Sequence, residues 1–153
     1  MEHLRSNVTD TALIFEGGGM RASYTSALVC ELLRAGIHVD WVAGISAGSS
    51  NTVNYLSRDI HRAAVSFVDF AADPHFGGPM SLLRGRGWFN TQYIYEQSCL
   101  PGQVLPFDFG TFSANPARAS IGAFRVDTGE QRWFTKQDAP DTASLVRRVR
   151  ASS

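Results

Sequence analysis

An α/β fold with a mainly parallel sheet is predicted by three observations. Two short apolar runs, Ala12-Leu13-Ile14-Phe15 and Val39 to Ile45, bracket a stretch of helical periodicity. Each run stops at small residues that open a further helical stretch, Glu16-Gly17-Gly18-Gly19 after the first and Ser46-Ala47-Gly48 after the second. Strand, helix and strand in so few residues imply a parallel pair joined by a right-handed crossover. Composition agrees with a globular domain: the 153 residues are 44% hydrophobic and 18% charged, with 14 basic and 14 acidic side chains, so enough apolar surface is available to offset chain entropy.

Several classes are excluded by the same figures. No apolar stretch approaches the ~20 residues of a membrane-spanning helix. Met1-Glu2-His3-Leu4-Arg5 has no basic region followed by an apolar one, so no signal peptide is expected and the expected compartment is the cytoplasm. A formal net charge of zero gives no reason to expect a nucleic-acid partner, whose binding is driven by counterion release. Cys30 and Cys99 match no metal-ligand spacing and read as reduced, buried small residues, and no metal or cofactor is expected.

The elements follow in order. Ala12 to Phe15 is a buried strand. From Arg21 to Ala35 the residues Tyr24, Ala27, Leu28, Leu32 and Ala35 fall at helical spacing, and Gly36 supplies the positive φ that ends such a helix. Val39 to Ile45 is the second strand, and a helix carrying Val53 and Leu56 begins at Ser46. Ile60, Ala63, Ala64, Phe67, Val68 and Ala71 predict a third helix with Arg62, Ser66 and Asp69 on its polar face. Asp73 to Asn90, rich in Gly and Pro, reads as a surface loop, and Thr91 to Cys99 as a short helix. Arg118 to Val126 and Gln131 to Thr135 flank a turn and predict an antiparallel hairpin. A last helix, capped by Asp138 with Pro140 in its first turn, runs through Leu145, Val146 and Val149.

Two motifs carry chemistry. Gly44-Ile45-Ser46-Ala47-Gly48 is a G-x-S-x-G between a strand and a helix. A nucleophile elbow needs a serine on a sharp, strained turn with small neighbours, here Gly44, Ala47 and Gly48, and the helix N-terminus favours a developing negative charge. The same residues also describe a serine N-cap in a glycine-rich turn. The second motif is Glu16-Gly17-Gly18-Gly19-Met20-Arg21. Its glycines leave N–H groups unobstructed, as an oxyanion hole requires. They also match G-x-G-x-x-A in a dinucleotide-binding loop, or an anion cradle in a non-catalytic nucleotide-binding domain. That reading expects an acidic residue at the end of the second strand to hold a ribose, and Asp40 lies at its beginning.

In order and separation, Gly17-Gly18-Gly19-Met20-Arg21 and Gly44-Ile45-Ser46-Ala47-Gly48-Ser49 resemble the patatin-like phospholipase family, bacterial members included, over about Leu13 to Asn54. Val149-Arg150-Ala151-Ser152-Ser153 is similar to the small-residue helix that precedes the family's second catalytic residue. The resemblance implies a three-layer α/β/α sandwich and a serine–aspartate dyad that hydrolyses acyl esters of lipids. It implies Ser46 as nucleophile and Gly17, Gly18, Gly19 and Arg21 as the oxyanion loop, with a lipid or acyl ester as partner and transient contact at a membrane surface. The family's aspartate stands in an Asp-Gly pair, and this sequence has none. Residues 1–153 therefore read as a single incomplete domain, the N-terminal catalytic half truncated at its C-terminus, inactive by itself, with no residue assigned as base.

Other residues have ordinary readings. Asp127, in Asp127-Thr128-Gly129, belongs to the hairpin turn. His3, His38, His61 and His75 read as surface histidines. Arg147, Arg148 and Arg150 read either as contacts to anionic lipid or as a solvated helix C-terminus. Trp88-Phe89 reads as a flap over an acyl cleft or as an anchor for its loop.

Overall fold

The computed structural model describes residues 4–153, so His3 lies outside the described residues. Four strands, β1 (Val8–Phe15), β2 (Val39–Ile45), β3 (Arg118–Arg125) and β4 (Glu130–Phe134), form one sheet in that order. β1, β2 and β3 are parallel, and β4 returns antiparallel as the predicted hairpin. The helices are α1 (Ala22–Arg34), α2 (Ala47–Leu56), α3 (Ile60–Val65), α4 (Pro79–Leu83), α5 (Phe109–Ala114) and α6 (Thr142–Ser152), with a π-helical segment at Gln92–Gln97. This is the predicted α/β class with a mostly parallel sheet. Among the described residues no helix is long and apolar enough to cross a membrane.

One sheet face carries the core. Phe15, Val42, Ala119 and Ile121 meet Val29, Cys30 and Leu33 of α1, Val53, Tyr55 and Leu56 of α2, Phe112 of α5, and Leu145 and Val149 of α6. Tyr55 is fully buried and ties helix to sheet: its hydroxyl donates to the Ile37 carbonyl at 2.7 Å and accepts from the Val39 N–H at 2.9 Å. Alternation along the paired strands places Ile14, Trp41, Ile45, Phe124 and Trp133 on the opposite face, where all five are exposed. Cys30 and Cys99 are both unpaired and buried.

Several elements differ from expectation for identifiable reasons. α1 forms and ends as predicted, with Gly36 at φ 65 and the Ile37 N–H bonded back to the Leu32 carbonyl at 2.9 Å. Its buried face, however, is Ala22, Ser26, Val29, Cys30 and Leu33, whereas Tyr24 and Leu28 of the predicted stripe are exposed. The partner surface decides this register, because Ser26 bonds Asn51 of α2 at 2.7 Å. α3 stops at Val65 rather than continuing to Ala71, and a 3-10 turn follows at Phe70–Ala72. Ser66 donates its hydroxyl to the Arg62 carbonyl, a local bond that competes with the helical ladder. Arg62, expected on the polar face, is buried.

α5, which the sequence reading does not include, is capped by Asp108, whose carboxylate accepts from the Thr111 N–H at 2.9 Å. The last helix starts later than predicted. Pro140 disfavours helical geometry at Ala139, so Asp138 instead closes a turn with Thr135, and Asp141 caps α6 by accepting from the Ser144 N–H at 2.7 Å.

Candidate active site

β2 runs into Ser46, and α2 begins at the next residue. Ser46 adopts φ 55, ψ −130, outside the regions that side-chain-bearing residues favour. Such a conformation costs roughly 1–3 kcal/mol and survives only where its surroundings over-determine it. The Ser46 N–H donates to Ser152 Oγ at 2.8 Å, and its carbonyl accepts from the Ser49 N–H at 2.8 Å and the Ser49 hydroxyl at 2.6 Å. Gly44 and Gly48 supply room. A Cβ on Gly44 would lie 2.2 Å from the Gly48 carbonyl oxygen, and one on Gly48 would lie 2.1 Å from the Phe15 carbonyl oxygen. Ala47 is buried behind the serine.

The triple-glycine loop lies against this turn. A Cβ on Gly17 would sit 3.1 Å from Ser46 Cβ and 3.7 Å from Ser46 Oγ. Gly18, at φ 163 and ψ 12, leads into a single 3-10 turn at Gly19–Arg21, with Gly19 at φ 55. The exposed Arg21 folds back beside Gly18, its Nε 3.5 Å from where a Cβ would be.

Ser46, Ala47, Gly19 and Met20 line a cavity of about 200 Å³. α2 contributes Ser50, Val53 and Asn54, α6 contributes Val146 and Val149, and the facing wall is mainly aromatic, with Phe70, Phe76 and Phe89. The predicted loop segment supplies part of that wall: a bridge between Gly77 and Phe89 closes it, and Phe89 stands edge-on to Phe76 with centroids 5.9 Å apart. Trp88 is exposed. Within the wall, Tyr93 donates to Asp73 at 2.7 Å, and burial together with that bond raises the phenol to about 12.

The only charged residue lining the cavity, among the described residues, is Arg62. It is 8% exposed. Its Nε donates to Asn54 Oδ1 at 3.0 Å, one terminal nitrogen reaches the Leu105 and Pro106 carbonyls, and the other lies 3.1 Å from Cys99 Sγ. These partners are neutral acceptors, and the guanidinium also stacks over Phe107 at 5.4 Å. Reasoning from sequence missed this residue because three of its acceptors are 37 to 44 positions away.

The remaining candidates are not brought here. No Asp, Glu or His among the described residues lines the cavity, so His38, His61 and His75 all lie outside it. Asp127 is at the hairpin tip, paired with Arg125 at 2.7 Å, and that bond holds its carboxyl below the usual range. Asp40 is near the start of β2, at the opposite end from Ser46. The three arginines of α6 do not form one solvated cluster: Arg148 stacks on Phe134 at 4.8 Å, and Arg150 bonds Thr91 Oγ1 at 3.2 Å and Glu96, while Arg147 is exposed. Among the described residues no group of three or more His, Cys, Asp or Glu side chains is placed to hold a metal.

No curated protein and no solved structure significantly matches the sequence. The family model described as patatin-like phospholipase matches residues 13–153, a span that includes the glycine loop, the Ser46 turn and α6, and the chain belongs to that family.

Proposed function

We propose that this chain is a serine-dependent lipid acyl hydrolase in which Ser46 is the nucleophile, Gly44, Ala47 and Gly48 form its elbow, and Gly17, Gly18, Gly19 and Arg21 form the oxyanion loop. Family membership supports a lipid acyl hydrolase in general. The observation that carries the finer reading is the position of Ser46, strained at φ 55 at the N-terminus of the ten-residue α2 and on the wall of a largely apolar cavity that Gly19 shares.

The chemistry follows from that position. Ser46 Oγ attacks the acyl carbonyl, and the negative charge on the carbonyl oxygen is met by backbone N–H groups and the α2 dipole. Collapse of the tetrahedral intermediate expels the alcohol and leaves an acyl-Ser46 ester, which water hydrolyses to the carboxylic acid. The acyl chain occupies the cavity. An apolar cavity of about 150 Å³ holds benzene, so about 200 Å³ accommodates a single chain of about eight carbons. In the Ser–Asp chemistry implied by the resemblance a carboxylate takes the serine proton. Residues 1–153 hold no Asp-Gly pair, and among the described residues no carboxylate or imidazole lines the cavity, so turnover by these residues alone is expected to be slow.

An alkyl fluorophosphonate tests both parts. It is expected to label Ser46, to lose that labelling in Ser46→Ala, and to react steadily faster as the pH rises from about 6 to 9, because among the described residues no carboxylate or imidazole lines the cavity. p-Nitrophenyl octanoate turnover is expected barely above background. Labelling at another serine overturns the nucleophile, and a rate that levels off near pH 7 reveals a base among these residues.

A further inference from the structure

Ser152, near the end of α6, is 106 residues from Ser46 and touches it through a single hydroxyl. Ser152 Oγ accepts the Ser46 N–H at 2.8 Å and donates its own proton to the Gly122 carbonyl. The last register pair between β2 and β3 is Ile45 with Gly122. Past that pair Ser46 leaves the strand for φ 55, and the backbone ladder between β2 and β3 ends. The serine hydroxyl, being donor and acceptor at once, spans the next rung in its place. An N–H left without a partner at this half-buried position would remove one of the restraints on a strained residue.

The hydroxyl itself is held in place. Leu145, Val146 and Val149 bury one side of α6, Val149 joins the main core, and Arg150 is fixed to Thr91 and Glu96. Close approach of the strands at this level is possible because residue 122 is glycine: a Cβ there would lie 2.9 Å from both Ile45 Cγ1 and Trp133 Cζ3. α6 therefore hydrogen-bonds to the turn through this hydroxyl, and the group it holds is the backbone N–H of Ser46.

We infer that Ser152 is a positioning residue for Ser46, a hydroxyl that replaces the ladder hydrogen bond lost at the turn and so fixes the direction in which Ser46 Oγ points. The inference rests on the reading of Ser46 as the nucleophile. It assigns no proton transfer to Ser152, whose Oγ–H is engaged by Gly122.

The test separates the hydrogen bond from the chemistry. Ser152→Ala, Ser152→Val and Ser152→Thr are prepared in the full chain, Val and Thr being alike in shape and differing in the hydroxyl. Amide exchange at Ser46, read by NMR, is expected to accelerate about tenfold or more in the Ala and Val variants and to stay unchanged in Thr. The rate of fluorophosphonate labelling at Ser46 is expected to fall about tenfold in Ala and Val and to recover in Thr, with all melting transitions alike, since small misplacement of a reacting atom carries a large rate penalty. If Ser152→Ala does not fold, the Val and Thr pair decides the matter. Unchanged exchange in the Val variant overturns the hydrogen-bond role. Accelerated exchange with unchanged labelling overturns the positioning role. A wild-type chain that is not labelled at Ser46 overturns the nucleophile reading, and the positioning role with it, whatever the exchange data show.

Discussion

The floor of the cavity and its aromatic wall are held by different kinds of contact. Along the floor, from Phe15 through Gly19 and from Gly44 to Thr52, backbone packs directly on backbone, with hydrogen atoms of glycine where a methyl group would collide with a carbonyl oxygen at 2.1 to 2.2 Å. Across the cavity the segment from Phe70 to Phe107 is held by side chains. Phe70, Phe76 and Leu105 form a small cluster apart from the main core, the Phe70 and Phe76 rings meet edge-on at 5.4 Å, and Arg62 fastens the Leu105 and Pro106 carbonyls to Asn54 of α2. Backbone contact leaves no adjustable atoms, whereas side-chain contact can repack. The proposed reacting serine thus stands on the part that cannot adjust, and the groups that shape the proposed acyl site stand on the part that can.

The comparison is broken most directly by adding one methyl group to the floor. In Gly48→Ala the new Cβ would meet the Phe15 and Glu16 carbonyl oxygens at 2.1 and 2.6 Å, and neither is the end of a flexible side chain. β1 and α2 must separate, at an expected cost of about 3 kcal/mol or more, the upper range of overpacking. Urea denaturation measures this. A loss below about 1 kcal/mol would show that the floor yields as the wall does.

Arg62→Leu is expected to come next in size. It removes the donors to Asn54, Leu105, Pro106 and Cys99 and leaves buried acceptors unmatched, which costs about 2–3 kcal/mol. The effect should be local. Limited proteolysis is expected to cut between residues 73 and 107 well before global unfolding, while labelling of Ser46 persists. Simultaneous loss of both would show that floor and wall are one cooperative unit.

The two regions also differed in how readily they were read from the sequence. The floor was legible because its determinants are local: a strand, a turn whose glycines leave room and a helix all fall within Val39 to Leu56, and the β2 boundaries match those expected from the apolar run alone. The wall was not. The periodicity from Ile60 to Ala71 suggested one amphipathic helix with Arg62 in solvent, yet Ser66 ends that helix and Arg62 turns inward to acceptors more than 35 residues away. The same limit applies to α1, whose buried face was set by Asn51 and not by its own most apolar stripe, and to Ser152, whose partners are 106 and 30 positions distant. Long-range polar contacts leave no periodic trace in a sequence.

The smallest expected effect on stability carries the most information about the acyl site. Phe89 is 43% exposed, lines the cavity and rests edge-on against Phe76. Phe89→Ala loses that ring pair and the burial of about half a phenyl side chain, so the stability change is expected to be about 1–2 kcal/mol, below that of the two variants above. The cavity, in contrast, is expected to enlarge where the ring is removed, by enough to bury about two further methylenes. At about 0.8 kcal/mol each, they shift the relative reactivity of dodecyl and octyl fluorophosphonates toward dodecyl by about tenfold. The ratio of the two labelling rates at Ser46, measured in wild type and variant, checks this. An unchanged ratio would place the acyl chain elsewhere, and would mean that the wall shapes the cavity without reading the length of what enters it.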